Sequence, residues 1–332
     1  MVAATAIYEL PASLRVAASC LGKRFAVTVG HQPATLVTPA IVWADDRPSI
    51  VAPTSRVLDQ SLLIRMAEAG KEGWERWETW GSVSQWNPEK RVAMHVRIGS
   101  VLLEFTLDSK GMAYSDYLYA RGHPTGPQVD RLFATIDEWF QDLRTWIEVA
   151  VNQDINPAHP ITHVSVLGSG LQIVTVEDAT TSLPARAHMV NVFGDSSEEV
   201  NLRTFRKILA KLRASEVPSD AHLLLRDARA DLRRGRYRKA VIDAGSAVEL
   251  TLADVNRRGP NVNTGSRPTL GWFVDQPAVA AAAALPASTK GDLVGLRNDA
   301  IHKNVVPSRV GAANAIALAK AIVDGADPLG LW

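Results

Sequence analysis

A chain of 332 residues with 46% hydrophobic and 21% charged residues has the composition of an ordinary folded protein, and its length favours two domains. The formal net charge of +1 excludes a strong overall field, and the single cysteine, Cys20, excludes an intramolecular disulfide and a cysteine-based zinc site. The longest apolar run, at 278–285, is shorter than the roughly 20 residues that a membrane helix needs. The N-terminus lacks the pattern of a secretory signal, and no phosphate- or dinucleotide-binding glycine motif is present. We therefore expect a cytoplasmic protein without a membrane segment, a metal or a cofactor.

The first two hundred residues favour a mixed sheet-and-helix domain. Residues 92–98 have an apolar side chain at every second position, which is typical of a half-buried strand. Gly99 and Ser100 then predict a turn into a second strand at 101–107, so a hairpin is expected here. Two further strands and one helix are predicted, at 24–29, at 34–43 and from 127 to about 151.

After about residue 197 the pattern becomes helical. Two helices are predicted within 221–259, joined by a short Arg-Gly-Arg-Tyr turn, and two more at 286–304 and 308–324. A loop rich in glycine, asparagine and proline separates the two pairs. The expected fold class is α+β, with three parts: an α+β domain at 1–200, a basic helical linker at 201–219 and an all-α four-helix domain at 220–332.

Residues 203–239 concentrate positive charge, with twelve lysines or arginines and four carboxylates. Such a segment favours binding of a polyanion such as RNA, with an affinity that falls as salt rises. The same residues also fit solvated helix faces, because charge runs are common on amphipathic helices. The candidate RNA-binding residues are Arg226, Arg229, Arg233, Arg234, Arg236, Arg238 and Lys239.

The stretch GLRNDAIHKN, at 295–304, combines residue types that act on phosphates. Arg297 is followed directly by Asn298, and His302 lies five positions after the arginine. At about 100° per residue, Asn298 and His302 share a helix face that points away from the apolar side. They are therefore available to a cleft or to solvent. Alternatively, Arg297 and His302 only decorate a helix C-terminus, where cations are favourable.

Three segments together resemble the HEPN superfamily. They are the motif itself in LVGLRNDAIHKN, the small-residue and glutamate-bearing helix GRYRKAVIDAGSAVEL at 235–250, and the alanine-rich closing helix AANAIALAKAIVDG at 312–325. The resemblance covers about the last 110 residues and does not extend to the first 200. The spacing Arg-x4-6-His is also met by Arg24 and His31, which lie in a strand-like region.

The resemblance implies a four-helix fold, no metal, and a homodimer that pairs the motifs of two protomers in one cleft. It implies an endoribonuclease that forms a 2′,3′-cyclic phosphate, and a role as a toxin or as an effector of defence against phage. By the same resemblance, His302 is the general acid or base and Arg297 binds the phosphate. Asn298 is the orienting polar partner, and Glu249 supports them across the bundle. Histidine exchanges protons near neutral pH, and a guanidinium stays protonated and binds two oxygens, so both residue types suit this chemistry.

Two other functions stay open on the sequence. The same domain without catalysis would hold RNA, a nucleotide or a protein partner through its basic helices. An interaction scaffold would need no nucleic acid at all. In each case the N-terminal domain senses or positions something, so an activating ligand or protein is expected there.

Two further clusters do not favour a functional site. Trp74, Trp77, Trp80 and Trp86 fit core packing better than base stacking. His159 and His163 have the spacing of helical metal ligands, but Pro160 argues against a helix there.

Overall fold

The computed structural model describes residues 2–44, 46–55, 80–107, 127–153, 155, 169–175, 183–187, 198–262 and 268–331. The chain forms two compact units, Met1–Val217 and Pro218–Trp332. Residues 201–217, expected in a linker, belong to the first unit. A sheet in the first unit and helices in the second make the protein α+β, which confirms the predicted fold class.

The first unit is built on antiparallel strands. They are β1 (Val2–Val16), β2 (Arg24–Val29), β3 (Gln32–Val37), β4 (Ala40–Ala44), β5 (Arg47–Val51), β6 (Gly81–Asn87), β7 (Val92–Leu107), β8 (Ser169–Thr175) and β9 (Leu183–Ala187). Seven of them form one sheet in the order β2-β3-β7-β1-β8-β9, with β6 also paired to β7, while β4 and β5 form a separate hairpin. A 3₁₀ turn at Ala18–Cys20 follows β1.

The prediction of a hairpin around Gly99 and Ser100 is wrong, because one continuous strand, β7, runs through both residues. On one side β7 pairs with β1 from the Val16–Val96 pair to the Val2–Leu107 pair. On its other side, β6 covers the first half and β3 covers part of the second half. Ser100 is fully buried in the middle. Neighbouring strands on both sides keep the chain extended through a dipeptide that by itself favours a turn.

Helix α1 (Pro127–Ala150) confirms the helix predicted from 127 to about 151. Ile136, Phe140, Leu143 and Ile147 recur at the spacing of one helix face and are all buried. The Phe140 ring stacks on Tyr8 of β1, with centroids 3.7 Å apart. The helix thus places its apolar face against the sheet.

Helix α2 (Leu202–Arg213) contacts β2, an edge strand of the sheet. Phe205 meets Phe25 of β2 edge to face, with ring centroids 5.2 Å apart. Arg213 donates a hydrogen bond to the Ala26 carbonyl on the same strand. Because an open strand edge is a template for pairing with other chains, this contact protects the edge.

The first turn of α2 depends on Asn201. Its side-chain oxygen accepts a hydrogen bond from the Thr204 backbone N–H, at 2.9 Å. We expect Asn201→Ala to lower the free energy of unfolding by about 1 kcal/mol, because one helix N–H loses its partner. Urea unfolding measures this change. Asn201→Asp keeps the acceptor, so a loss as large as that of the alanine variant would contradict the capping role.

The second unit is helical. Its α-helices are α3 (Asp220–Arg233), α4 (Tyr237–Arg258), α5 (Leu270–Val274), α6 (Pro277–Ala282), α7 (Leu296–His302) and α8 (Arg309–Ala326). α3 and α4 confirm the pair predicted within 221–259. Val241, Ala244, Val248 and Leu252 of α4 are completely buried in the core of this unit, and α4 packs against both α3 and α8. Within the described ranges, no helix is both long and apolar enough to cross a membrane.

The helix predicted at 286–304 is shorter and has two parts. Lys290–Gly295 forms a π-helical turn, and α7 follows it directly. Gly291 and Gly295 lie in this turn, where glycine weakens a regular α-helix. The wider turn rotates the residues after it around the helix axis. A spacing of about 100° per residue therefore predicts which side chains share a face only from Leu296 onward. Single π-turns within helices are frequent at functional sites.

Candidate active site on the helical unit

Arg297 near the start of α7 pairs with Glu249 in the middle of α4. Arg297 Nη2 lies 2.9 Å from Glu249 Oε2, and the two side chains are 16% and 29% exposed. The pair therefore lies at the surface where the two helices pack, largely shielded from water. Such shielding strengthens an ion pair relative to one in open solvent.

Gly245, one turn before Glu249 on α4, leaves the space that the Arg297 side chain occupies. A Cβ at position 245 would overlap Arg297 Cδ and stand 3.0 Å from its Nε. Sequence reasoning did not single out this residue. A glycine inside a predicted helix is unfavourable by about 1 kcal/mol relative to alanine, and that is the signal that could have identified it.

Two polar atoms of the pair are buried without a hydrogen-bond partner in the described chain. They are Arg297 Nε and Glu249 Oε2. The 2.9 Å contact therefore joins opposite charges without the angles of a hydrogen bond. A buried donor without an acceptor is unfavourable, so Arg297 Nε retains an unused capacity to donate a hydrogen bond.

Asn298 and His302 are both exposed on α7, and Ala300 between them is buried. Neither exposed side chain is hydrogen-bonded to the part of the chain that the structure describes. The Arg238 Nε donates to the Ala300 carbonyl at 2.8 Å, which ties the beginning of α4 to α7 and satisfies a carbonyl near a helix end. The histidine is thus open to solvent on a helix that α4 holds in place.

Basic residues at the junction of α3 and α4 surround one buried carboxylate, that of Asp231. Three cations lie within 4 Å of its oxygens: Lys239 Nζ at 2.6 Å, Arg236 Nη1 at 3.7 Å and Arg234 Nη1 at 3.8 Å. Burial alone would lower the pKa of Lys239, but hydrogen bonds to Asp231 and Asp243 raise it overall. Asp231 is one of the four carboxylates counted in the basic segment, and its spacing from Asp227 predicts an exposed position. The structure corrects this, because Asp231 is buried near the end of α3.

Other members of the basic group have partners as well. Arg226 pairs with Asp227 at 2.8 Å, and Arg238 is engaged by Ala300 as described. Arg229 and Arg233 also make interactions within the protein. The segment 226–243 nevertheless has seven cations and three carboxylates, so it stays positive overall.

The competing arginine–histidine match has a different setting. Arg24 lies in β2 and forms an ion pair with the buried Glu104, and His31 lies in the turn between β2 and β3. These residues belong to a β-hairpin rather than to packed helices. Of the two matches, the one at Arg297 and His302 lies among packed helices.

The tryptophan and histidine clusters are only partly described. Trp80 is buried, whereas Trp86 is 37% exposed. Trp74, Trp77 and the pair His159 and His163 lie outside the described residues.

No protein-family model, curated protein or solved structure matches this chain. The fold and the site define an α+β protein whose helical unit presents a shielded ion pair between α4 and α7 and an exposed histidine on α7.

Proposed function

We propose that the protein is a metal-independent endoribonuclease of the HEPN type. The observation that supports this most directly is the placement of Arg297. Its side chain fills the space left by Gly245, and its Nε has no acceptor in the described chain. An exposed histidine follows five residues later on the same helix. A phosphate-binding cation and a proton-transfer group are the two parts that metal-free RNA cleavage needs.

In the proposed reaction, the ribose 2′-hydroxyl attacks the neighbouring phosphorus and loses its proton to the imidazole of His302. The bond from phosphorus to the 5′-oxygen breaks, and that oxygen takes up a proton from an imidazolium. The products are a 2′,3′-cyclic phosphate and a 5′-hydroxyl. Arg297 binds the non-bridging oxygens, whose negative charge grows in the transition state.

Two further residues have supporting roles in this proposal. Asn298 shares the exposed face of α7 with His302 and orients the phosphate or the imidazole by a hydrogen bond. Glu249 holds Arg297 against α4, since its carboxylate lies 2.9 Å from the guanidinium.

A homodimer through the second unit is part of the proposal. Large apolar side chains are exposed close in sequence to the site: Leu250, Ile301, Val305, Val306 and Val310, at 36–68%. A second copy would bury this surface and bring two copies of His302 into one cleft, which is the arrangement that the resemblance implies. We assign the protein a role as a toxin or anti-phage effector on cytoplasmic RNA, by resemblance alone, under the control of a ligand or protein at the first unit.

The decisive experiment is an RNA-cleavage assay of the full chain in EDTA. We expect cleavage to persist in EDTA and to leave a 2′,3′-cyclic phosphate that mass spectrometry detects. A matched oligonucleotide with a single 2′-deoxy sugar at the cut site should stay intact, because it lacks the nucleophile. Cleavage of the deoxy substrate, or an activity that disappears in EDTA, would contradict the proposed chemistry.

A second candidate is a non-catalytic RNA-binding protein, favoured by the excess of cations in segment 226–243. In that case, removing Arg233, Arg234 and Arg236 together weakens RNA binding far more than His302→Ala does. The salt dependence of binding should also become shallower, by about 1 in the log–log slope for each phosphate that no longer meets a cation. An interaction scaffold would respond to neither change.

A further inference from the structure

A cavity lies in the first unit between the sheet and α1. Its empty volume is about 530 Å³, counting the solvent at its open mouth. Its walls are mainly apolar core residues, among them Leu14, Leu36, Ile98, Phe140, Ile147 and Phe205. The lining comes from three strands, two helices and Ile155, all within the first unit.

An irregularity in β1 borders this cavity. β1 pairs with β7 through the Glu9–Ser100 pair, and the pairing resumes only at the Leu14–Ile98 pair. Between these pairs β1 contains more residues than β7, and one of them, Pro11, has no backbone N–H to offer. Leu14 and Ile98 both line the cavity. Bulges are frequent next to functional sites, where they redirect a side chain or end the strand pairing.

Arg144 of α1 gives the cavity wall a cationic group. Its Nε is buried and has no hydrogen-bond partner in the described chain. Tyr8, also in the wall, is already engaged: burial and the carboxylate of Asp137 raise the pKa of its phenol, which hydrogen-bonds to that carboxylate. The charge of Arg144 acts on this phenol in the opposite direction. The cavity therefore has apolar walls and one donor that lacks an acceptor.

We propose that this cavity binds a small amphipathic carboxylate, with its apolar chain or ring between the sheet and α1 and its carboxylate on Arg144. An acceptor with negative charge fits the unpartnered Nε, because charge-assisted hydrogen bonds are the strong ones. A single charge suits the site better than the double charge of a phosphate monoester, since Asp137 lies close by. The proposal does not depend on the ribonuclease activity.

Isothermal titration calorimetry of the full chain tests this, with octanoate, decanoate and 4-phenylbutyrate as probes and octan-1-ol as the uncharged comparison. We expect one site per chain and tighter binding of octanoate than of octan-1-ol. Arg144→Met keeps most of the apolar contact of the side chain and removes its charge. It should weaken octanoate binding by about tenfold or more and leave octan-1-ol binding unchanged.

Arg131→Met is the matched control, because Arg131 is an exposed residue of α1 that does not line the cavity. It should bind octanoate as the wild type does. Thermal melting without ligand shows whether each variant is folded. The proposal is overturned if none of the three carboxylates binds, if octan-1-ol binds as well as octanoate, or if folded Arg144→Met binds octanoate like the wild type.

Discussion

His302→Ala is expected to lower the rate of RNA cleavage by about 10²–10⁴-fold, the usual contribution of a general acid or base. His302 is exposed and makes no hydrogen bond within the described chain, so its removal should change the melting temperature little. RNA binding should be largely retained, because contacts between cations and the phosphate backbone supply most of the affinity for a nucleic acid. Single-turnover cleavage under EDTA measures the rate, and salt titration of RNA binding measures the affinity.

Two variants make the comparison specific. Arg297→Ala should lower cleavage by about 10²–10³-fold, as the loss of a fixed donor to an oxyanion does. His31→Ala is the matched negative control, because His31 belongs to the other arginine–histidine match and lies in a β-turn. If His302→Ala cleaves at the wild-type rate, or if His31→Ala loses as much activity, the assignment of His302 is wrong.

The sequence predicted those helices and turns that depend on residues close together along the chain. Helix α1 and the pair α3 and α4 follow from apolar residues at helical spacing, and the turn between α3 and α4 follows from its glycine. The prediction of a hairpin at Gly99 and Ser100 was wrong, because contacts with residues distant in sequence keep β7 extended. Gly99 donates its N–H to the Trp80 carbonyl, a residue far along the chain, and strands pair with β7 on both sides.

In the candidate site, too, the sequence predicts the residues that are close together along the chain but not the contacts between different helices. Arg297, Asn298 and His302 are close together in sequence, so a motif finds them without knowledge of the fold. The role of Gly245 depends on α4 meeting α7, and no spacing within either helix reveals which residue of α4 meets Arg297. In the basic segment, the sequence shows the positive charge but not how that charge is paired. Only the structure shows that three cations of this segment share the buried carboxylate of Asp231.

Gly245→Ala is expected to lower RNA cleavage by about 10²–10³-fold, although it adds one methyl group at a distance from His302. The new Cβ would overlap Arg297 Cδ, so the arginine must turn away from α4 and from Glu249. Alanine is the better helix former by about 1 kcal/mol, whereas loss of the shielded ion pair with Glu249 acts in the opposite direction. The net change in the free energy of unfolding should therefore be small beside the loss of cleavage. Single-turnover cleavage and urea unfolding of the same preparation measure both quantities.

Gly325→Ala separates displacement of the arginine from a general effect of alanine in a helix. Gly325 is in α8, and an added Cβ there meets no heavy atom within 4 Å, so this variant should keep full activity. If Gly245 acts only by making room for Arg297, then Gly245→Ala should add little to the loss already caused by Arg297→Ala. Additive losses would mean that Gly245 acts by another route. Full activity in Gly245→Ala would mean that Arg297 does not work from the space beside α4, and the proposed phosphate site would have to be abandoned.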